Sequence, residues 1–130
     1  LSEELAFIKA YYFLLKTRFD ERLLLDIYVG NEIAQQMIPP LTLQILLENA
    51  VKHNIISQET PLHIVISEVN SNKVVISNTL QRRAQSVVST QTGLANLAAK
   101  YQLMQQPGPE IFETQDKFSV QITLLPNQAS

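Results

Sequence analysis

Residues 38–53 constrain the fold more than any other stretch, because they place five polar side chains on a helix that is otherwise apolar enough to be buried. At about 100° per residue, one half of this helix carries an apolar stripe suited to packing on a sheet or a second helix: Leu43, Leu46, Leu47, Ala50 and Val51. The other half carries Gln44, Glu48, Asn49, Lys52 and His53. Leu41 and Ile45 lie within the polar arc, so we expect this face to form the wall of a half-sheltered pocket. Pro39 and Pro40 suit the start of a helix, where a missing N–H costs little.

The polar half of this helix allows two interpretations. In the first, it is the solvated edge of a core helix, and Glu48 and Lys52 form an i, i+4 ion pair worth about 0.3–0.5 kcal/mol. In the second, the Asn49 carboxamide beside the Glu48 carboxylate offers oxygen to Mg²⁺, while Lys52 and His53 offer cations to phosphate oxygens. Because Mg²⁺ keeps several waters and takes substrate phosphates as ligands, one protein Asn can suffice.

Length and composition narrow the class of protein. The chain has 130 residues and 45% hydrophobic content, which we expect to form one domain over residues 1–130. A net charge of −2 indicates no general affinity for nucleic acid or anionic membrane. The absence of Cys excludes disulfides, thiolate metal sites and Cys nucleophiles. No apolar stretch approaches the roughly 20 residues that span a bilayer. Because the chain opens directly in helical sequence, we expect it to be an excised domain that lacks its N-terminal neighbour.

The remaining periodicity predicts two further helices and about five strands. The helices are 2–19 and 92–104, and the strands are 22–29, 62–69, 73–77, 110–113 and 118–125. Since most strands are joined as hairpins, we expect an α+β fold, a two-layer sandwich with a mixed sheet of about five strands and three helices on one face. Residues 79–91 are polar, include Arg82 and Arg83, and are predicted to be a mobile loop.

Three segments of the chain, in this order, resemble the catalytic ATP-binding domain of a LytS-like sensor histidine kinase. They are 12–23 (YFLLKTRFDERL), 38–53 with its core Leu-Glu-Asn-Ala-Val-Lys-His, and 92–97 (TGLANL). Such domains are members of the Bergerat or GHKL ATPase superfamily. The resemblance covers essentially the whole chain and implies a Bergerat-type sandwich with a nucleotide pocket between the Asn helix and the polar loop.

The resemblance also implies a set of functional residues. Asn49 would coordinate a Mg²⁺ ion that bridges the ATP phosphates, and Lys52 and His53 would lie near those phosphates. Gly93 would begin a helix whose exposed N–H groups receive phosphate, in line with the general behaviour of helix N-termini; a glycine there would equally serve a turn. The implied cofactors are ATP and Mg²⁺, and the implied nucleotide-binding set is Asn49, Lys52, His53, Asn78, Thr92, Gly93 and Leu94.

The sequence departs from the family pattern at two places. Hydrolytic members of the superfamily carry a water-activating Glu where this chain has Ile45, which favours a kinase over an ATP hydrolase. The family motif Asp-x-Gly-x-Gly is replaced at residues 76–81 by Ile-Ser-Asn-Thr-Leu-Gln. Asn78 stands in the place of the Asp that accepts from the adenine amino group, and its carbonyl oxygen retains that capacity at a cost of about 1 kcal/mol. The missing glycines leave Leu80 where it would crowd the base.

The implied activity is transfer of the ATP γ-phosphoryl group to a His on an upstream helix, followed by relay to an Asp of a response regulator. Glu48 is a candidate to orient the incoming imidazole, with the Lys52 ion pair as the alternative. His53 and His63 are not assigned as phosphoacceptors, and His63 is expected to face outward from its strand. The implied setting is the cytoplasmic domain of a membrane-anchored bacterial protein, homodimeric through its own dimerisation and phosphoacceptor domain.

Two other interpretations remain open at this point. The lost glycine motif favours a degenerate, non-catalytic GHKL-fold module that acts in dimer or partner contacts. A generic α+β domain of unrelated function requires all three segment matches to be chance. The kinase interpretation expects Mg-ATP to stabilise the chain, and the other two do not.

Overall fold

The computed structural model describes residues 1–54, 56, 59, 61–80 and 87–126, with the side chains of residues 53 and 87–93 outside the description. The helices are α1 (Ser2–Phe19), the single-turn α2 (Asn31–Ala34), α3 (Thr42–His53) and α4 (Val87–Leu103), and a 3-10 turn (Asp20–Arg22) follows α1. The strands are β1 (Leu23–Tyr28), β2 (Leu62–Asn70), β3 (Lys73–Thr79), β4 (Glu110–Glu113) and β5 (Lys117–Thr123). In these described ranges, no helix is both long enough and apolar enough to cross a membrane.

The five strands form one mixed sheet in the order β1-β2-β3-β5-β4. Strands β1 and β2 are parallel, with Leu23 opposite Leu62, and the other three pairs are antiparallel. A parallel pair needs a long crossover, and here it contains α2 and α3. This crossover places α3 against β2 and β3 while α1 and α4 pack against α3. The predicted α+β class and five-stranded mixed sheet are therefore confirmed.

One face of the sheet and the apolar stripe of α3 form the core. Alternate residues of β2 and β3, including Ile64, Ile66, Val74 and Ile76, are buried, as the period of two in a half-covered sheet requires. The predicted α3 stripe is also buried at Leu43, Leu46, Leu47 and Ala50, while Val51 is half-buried. Helix α1 adds Leu5 and Ile8 to the same core.

Several predicted boundaries move. Helix α3 begins at Thr42 rather than residue 39, because Leu41 adopts a left-handed conformation with φ 68°. Strand β3 continues to Thr79, which pairs with Lys117 of β5, so the polar loop starts later than predicted. Strand β5 ends at Thr123, and Leu125 forms an isolated bridge to Met37. The ambiguous stretch after β1 contains the single-turn α2.

Candidate functional site

Asn49 lies half-buried on α3, and its side-chain nitrogen Nδ2 is fully buried without a hydrogen-bond partner. A buried amide donor with no partner costs about 1–3 kcal/mol, so native structures rarely keep one without a reason. Rotation by 180° about the last side-chain bond exchanges the amide nitrogen and oxygen, so the same carboxamide can present an acceptor there. Asn49, which the kinase resemblance predicts to be the metal ligand, is therefore also the residue whose buried side-chain nitrogen has no hydrogen-bond partner.

Glu48 sits beside Asn49 but on the exposed side of α3. Its Oε1 accepts a hydrogen bond of 3.0 Å from Gln44 Nε2. Burial, together with the nearby Glu48 charge, raises the pKa of Tyr11 on α1. No ion pair joins Glu48 to Lys52, since the ion pair formed by the described residues is His63 with Asp26. The i, i+4 ion pair of the first interpretation is therefore not formed, and Glu48 is bonded to Gln44.

The C-terminal end of α3 is held by Asn54. Its Nδ2 donates to the carbonyl oxygen of Ala50 at 2.8 Å, and the residue is buried. Helix C-termini leave their last carbonyls without helical partners, and this side chain satisfies one of them. Together with the buried stripe of α3, this bond keeps the turn that carries Asn49 in place.

Asn78 is buried on the inner face of β3, where its backbone neighbours across the sheet are Ile64 and Phe118. Its Nδ2 donates to the carbonyl oxygen of Thr79 at 2.8 Å. Because a carbonyl oxygen can only accept, that bond identifies the Asn78 nitrogen and leaves Oδ1 as an acceptor. An acceptor is what the proposed hydrogen bond from the adenine amino group requires. The N–H of Leu80 donates to Asp116 at 2.9 Å, which ties the chain after β3 to the β4–β5 turn.

Gly93 does not begin a helix, so this prediction is wrong. Helix α4 starts at Val87 and contains Thr92, Gly93 and Leu94 in its interior. Interior N–H groups bond the carbonyl four residues earlier, and only the first four of a helix are free for an anion. Residues 87–91 (VVSTQ) contain no helix breaker, so the helix extends through the glycine at a cost of about 1 kcal/mol. Leu94 is buried in the core, which makes it a packing residue.

The other predicted residues are only partly described. Lys52 is exposed at the end of α3. The side chains of His53 and Thr92 and the residues Arg82 and Arg83 lie outside the described parts of the chain. The phosphate contacts proposed for Lys52 and His53 stay predictions.

Two polar contacts escaped the sequence analysis. His63 Nε2 lies 2.7 Å from Asp26 Oδ2 on the half-exposed outer face of the sheet, which agrees with the outward orientation expected for His63. The Glu4 carboxylate binds the start of α3. Both contacts join residues 37 to 39 positions apart, so local periodicity carries no signal for them. A weak signal existed for the second, because α3 is preceded by Leu41 instead of a capping residue.

No family model matches the chain. The sensor protein LytS of Streptococcus mutans is 32% identical over 119 residues, covering 80% of this chain and 20% of LytS. The sensor protein kinase HptS of Staphylococcus aureus is 29% identical over 115 residues, covering 88% of this chain and 20% of HptS. The sensor histidine kinase BtsS of Escherichia coli is 42% identical over 53 residues, covering 41% of this chain and 9% of BtsS. The chain thus spans at most about a fifth of the length of these relatives.

Two solved structures of the catalytic domain of histidine kinase ThkA each align with 92% of this chain, at TM-scores of 0.49 and 0.47 and identities of 16% and 17%. They cover 91% and 92% of the ThkA chains. In sequence, the chain is similar to proteins named as sensor histidine kinases. Over most of its length it is similar to LytS-type kinases, which confirms the predicted resemblance.

Proposed function

We propose that this chain is the ATP-binding catalytic domain of a sensor histidine kinase and that Asn49 is its magnesium ligand. The observation that carries the proposal is the buried, unpaired amide of Asn49. It lies in the Leu-Glu-Asn-Ala-Val-Lys-His core that the kinase resemblance singled out. An amide that the protein itself does not pair is available to a ligand, and its carbonyl oxygen is the atom that would contact Mg²⁺.

Asn49 fits a magnesium ion that is shared with a nucleotide. The described residues hold no group of three or more His, Asp or Glu side chains placed to bind a metal by themselves. Mg²⁺ does not need such a cage, because it takes waters and substrate phosphates as ligands. When bound, the ion would neutralise charge on the phosphates. Lys52 and His53, on the turn after Asn49, are the proposed phosphate contacts from the protein.

The purine end of the proposed site is the end of β3. The Asn78 amide is fixed by its bond to Thr79, and its Oδ1 is left to accept from the adenine amino group. Ile45, half-buried on α3, provides no carboxylate to activate water, which supports phosphoryl transfer over hydrolysis. The proposed acceptor is a His imidazole on an upstream helix, and the exposed Glu48 beside α1 is the proposed residue that orients it.

In the intact protein, the phosphoryl group would pass from that His to an Asp of a response regulator. We also propose that the protein is a homodimer through its phosphoacceptor domain and is anchored in the membrane by regions outside this chain. The catalytic contribution of this domain would be positioning and charge neutralisation, as in phosphoryl transfer generally.

A thermal shift assay with a nonhydrolysable ATP analogue tests the binding part of this proposal. At analogue a hundredfold above its dissociation constant, the chain should gain about 2.7 kcal/mol of stability, which corresponds to several degrees in melting temperature. Asn49→Ala should remove the part of the shift that depends on Mg²⁺. Gln44→Ala, which removes an amide from the same helix, should keep it.

One alternative has an observation in its favour. The chain exposes several large apolar residues on α1, namely Phe7, Phe13 and Leu14, and it lacks the glycines expected after β3. Both features suit a non-catalytic module that binds a partner or a second copy. An unchanged melting temperature at millimolar Mg-nucleotide would support this alternative and contradict the kinase proposal.

A further inference from the structure

Helix α3 has no capping residue of its own. Its N-cap is Leu41, which has no side-chain acceptor and adopts φ 68° and ψ 9°. The hydroxyl of Thr42, the first helical residue, donates to the carbonyl oxygen of Pro39 at 2.6 Å, so it is not aimed at the helix N–H groups. The first N–H groups of a helix have no partner within the helix. At this end of α3 the Thr42 N–H donates to the Pro39 carbonyl oxygen, and the N–H groups of Leu41 and Leu43 need an acceptor from another element.

Glu4 of α1 is that acceptor. Its Oε2 accepts from the Leu41 N–H at 2.8 Å, and its Oε1 accepts from the Leu43 N–H at 3.0 Å. A carboxylate at a helix N-terminus is further stabilised by the helix dipole. One side chain therefore satisfies two backbone donors and places its charge where the field of α3 favours it.

The position of the Glu4 carboxylate is set by α1. Its neighbours Leu5 and Ile8 are buried in the core, with 7% and 1% of their surfaces exposed. Helix α1 also packs along α3, where burial and, to a lesser extent, the Glu48 charge raise the pKa of Tyr11. A movement of α1 along or around its axis would displace the carboxylate that holds the start of α3.

Asn49 lies downstream on the same helix. It follows Leu43 by six residues, or about 9 Å along the helix axis at 1.5 Å per residue. At the other end, the bond from Asn54 to Ala50 restrains the last turn. Because a helix is stiff over this length, a shift at its first turn reaches the turn that carries Asn49.

We propose that Glu4 is a positioning residue that transmits the placement of α1 to the Asn49 carboxamide. Glu4 acts through α3 and does not itself touch the ligand. The part of this inference that concerns Mg²⁺ and nucleotide rests on the proposed function, whereas the coupling between Glu4 and Asn49 does not.

Calorimetric titration of the 130-residue chain with the ATP analogue, with and without Mg²⁺, tests the consequence for binding. Glu4→Gln should weaken Mg²⁺-dependent binding about fivefold, because the Gln amide keeps one acceptor oxygen and cannot accept from the second backbone N–H. Glu3→Gln is the matched control, since Glu3 is exposed in the same turn and loses the same charge. Equal Mg²⁺-dependent affinity for the Glu4→Gln and Glu3→Gln chains, at a temperature where both are folded, would overturn the proposal.

Nuclear magnetic resonance separates this inference from the proposed function. In Glu4→Gln, amide hydrogen exchange at Leu41 and Leu43 should accelerate, and the side-chain amide signal of Asn49 should shift. Glu3→Gln should change neither. If Asn49 keeps its signal while the two backbone amides lose protection, Glu4 is only a local cap and the coupling is refuted. If the wild-type chain binds no nucleotide but the Asn49 signal shifts as expected, the proposed function fails and the coupling stands.

Discussion

Asn49 and Asn78 are both sheltered carboxamides, yet the fold treats their amide groups differently. The nitrogen of Asn78 donates to Thr79 within the same strand, whereas the nitrogen of Asn49 is buried with no partner. At the phosphate end of the proposed site the amide nitrogen is unpaired, whereas at the purine end the amide nitrogen is paired within the protein and only the oxygen is left for a ligand. If the Asn49 amide rotates to present its oxygen to a bound cation, binding removes a cost that the free chain carries.

The largest expected effect is the difference in nucleotide affinity between the Asn49→Ala and Asn78→Ala variants. Asn49→Ala should weaken Mg²⁺-dependent binding tenfold or more, since contacts to charged groups are worth about 1.5–3 kcal/mol. Asn78→Ala should weaken it about fivefold, the value of one ordinary hydrogen bond of about 1 kcal/mol. Calorimetry at fixed Mg²⁺ concentration measures both. Equal losses of affinity in the two variants would contradict the view that the unpaired Asn49 amide matters more to the ligand than the paired Asn78 amide.

Tyr101 extends the comparison to a third sheltered polar group, one that is fully paired. It is 1% exposed, and its hydroxyl donates to the carbonyl oxygen of Thr123, which docks α4 on β5. Tyr101→Phe should reduce the free energy of unfolding by about 1–3 kcal/mol, because it leaves that carbonyl buried without a partner. Urea unfolding measures the loss, and the ratio of nucleotide affinities with and without Mg²⁺ should not change.

The same residue gives the expected dependence on pH. Burial raises the pKa of Tyr101 above its ordinary value of 10.0, so the folded chain holds this proton more tightly than the unfolded chain. The resulting stability is present below pH about 10 and is lost as the pH rises further. Unfolding measured from pH 8 to 11 should show a shallower decline in Tyr101→Phe. Tyr11, whose pKa is also raised, should maintain part of the slope in both chains. Parallel declines would contradict the assignment to Tyr101.

Removal of an unpaired group should have the opposite sign. Asn49→Leu replaces the amide by an apolar side chain of similar volume and so removes a buried donor that lacks a partner. We expect the free energy of unfolding to rise by about 1 kcal/mol without ligand, while the Mg²⁺ response is lost. Chemical denaturation with and without Mg-nucleotide measures the two changes together. A loss of stability would show that Asn49 contributes to packing as it stands.

The smallest effect is expected at the purine end. Asn78→Asp restores the acidic acceptor of the kinase pattern and should improve nucleotide affinity by about fivefold, or about 1 kcal/mol. The gain should come with lower stability, because the donor to the Thr79 carbonyl is removed and a carboxylate is placed in a buried position. Competition between adenine and guanine nucleotides measures the gain. No change in their ratio would mean that Asn78 does not face the base.

Much of the fold was predictable because hydrophobic periodicity is a local property. The buried stripe of α3, the alternation in β2 and β3 and the hairpin between them follow from residues a few positions apart. The start of α4 was not predictable from the sequence. A glycine among residues that can form a helix can either lie inside that helix or end it. Sequence alone could not decide which choice the rest of the molecule favours.

The site divides in the same way. The sequence by itself determined that Asn49 shares a helix face with Glu48 and Lys52 and that Asn78 replaces an acidic residue. Only the tertiary structure decided that Glu48 bonds Gln44, that the Asn49 nitrogen meets no acceptor among the described residues and that Glu4 holds the start of α3. The physical reason is that hydrogen bonds of side chains depend on which groups meet in space. For Glu4 and α3 those groups lie 37 and 39 residues apart in the chain.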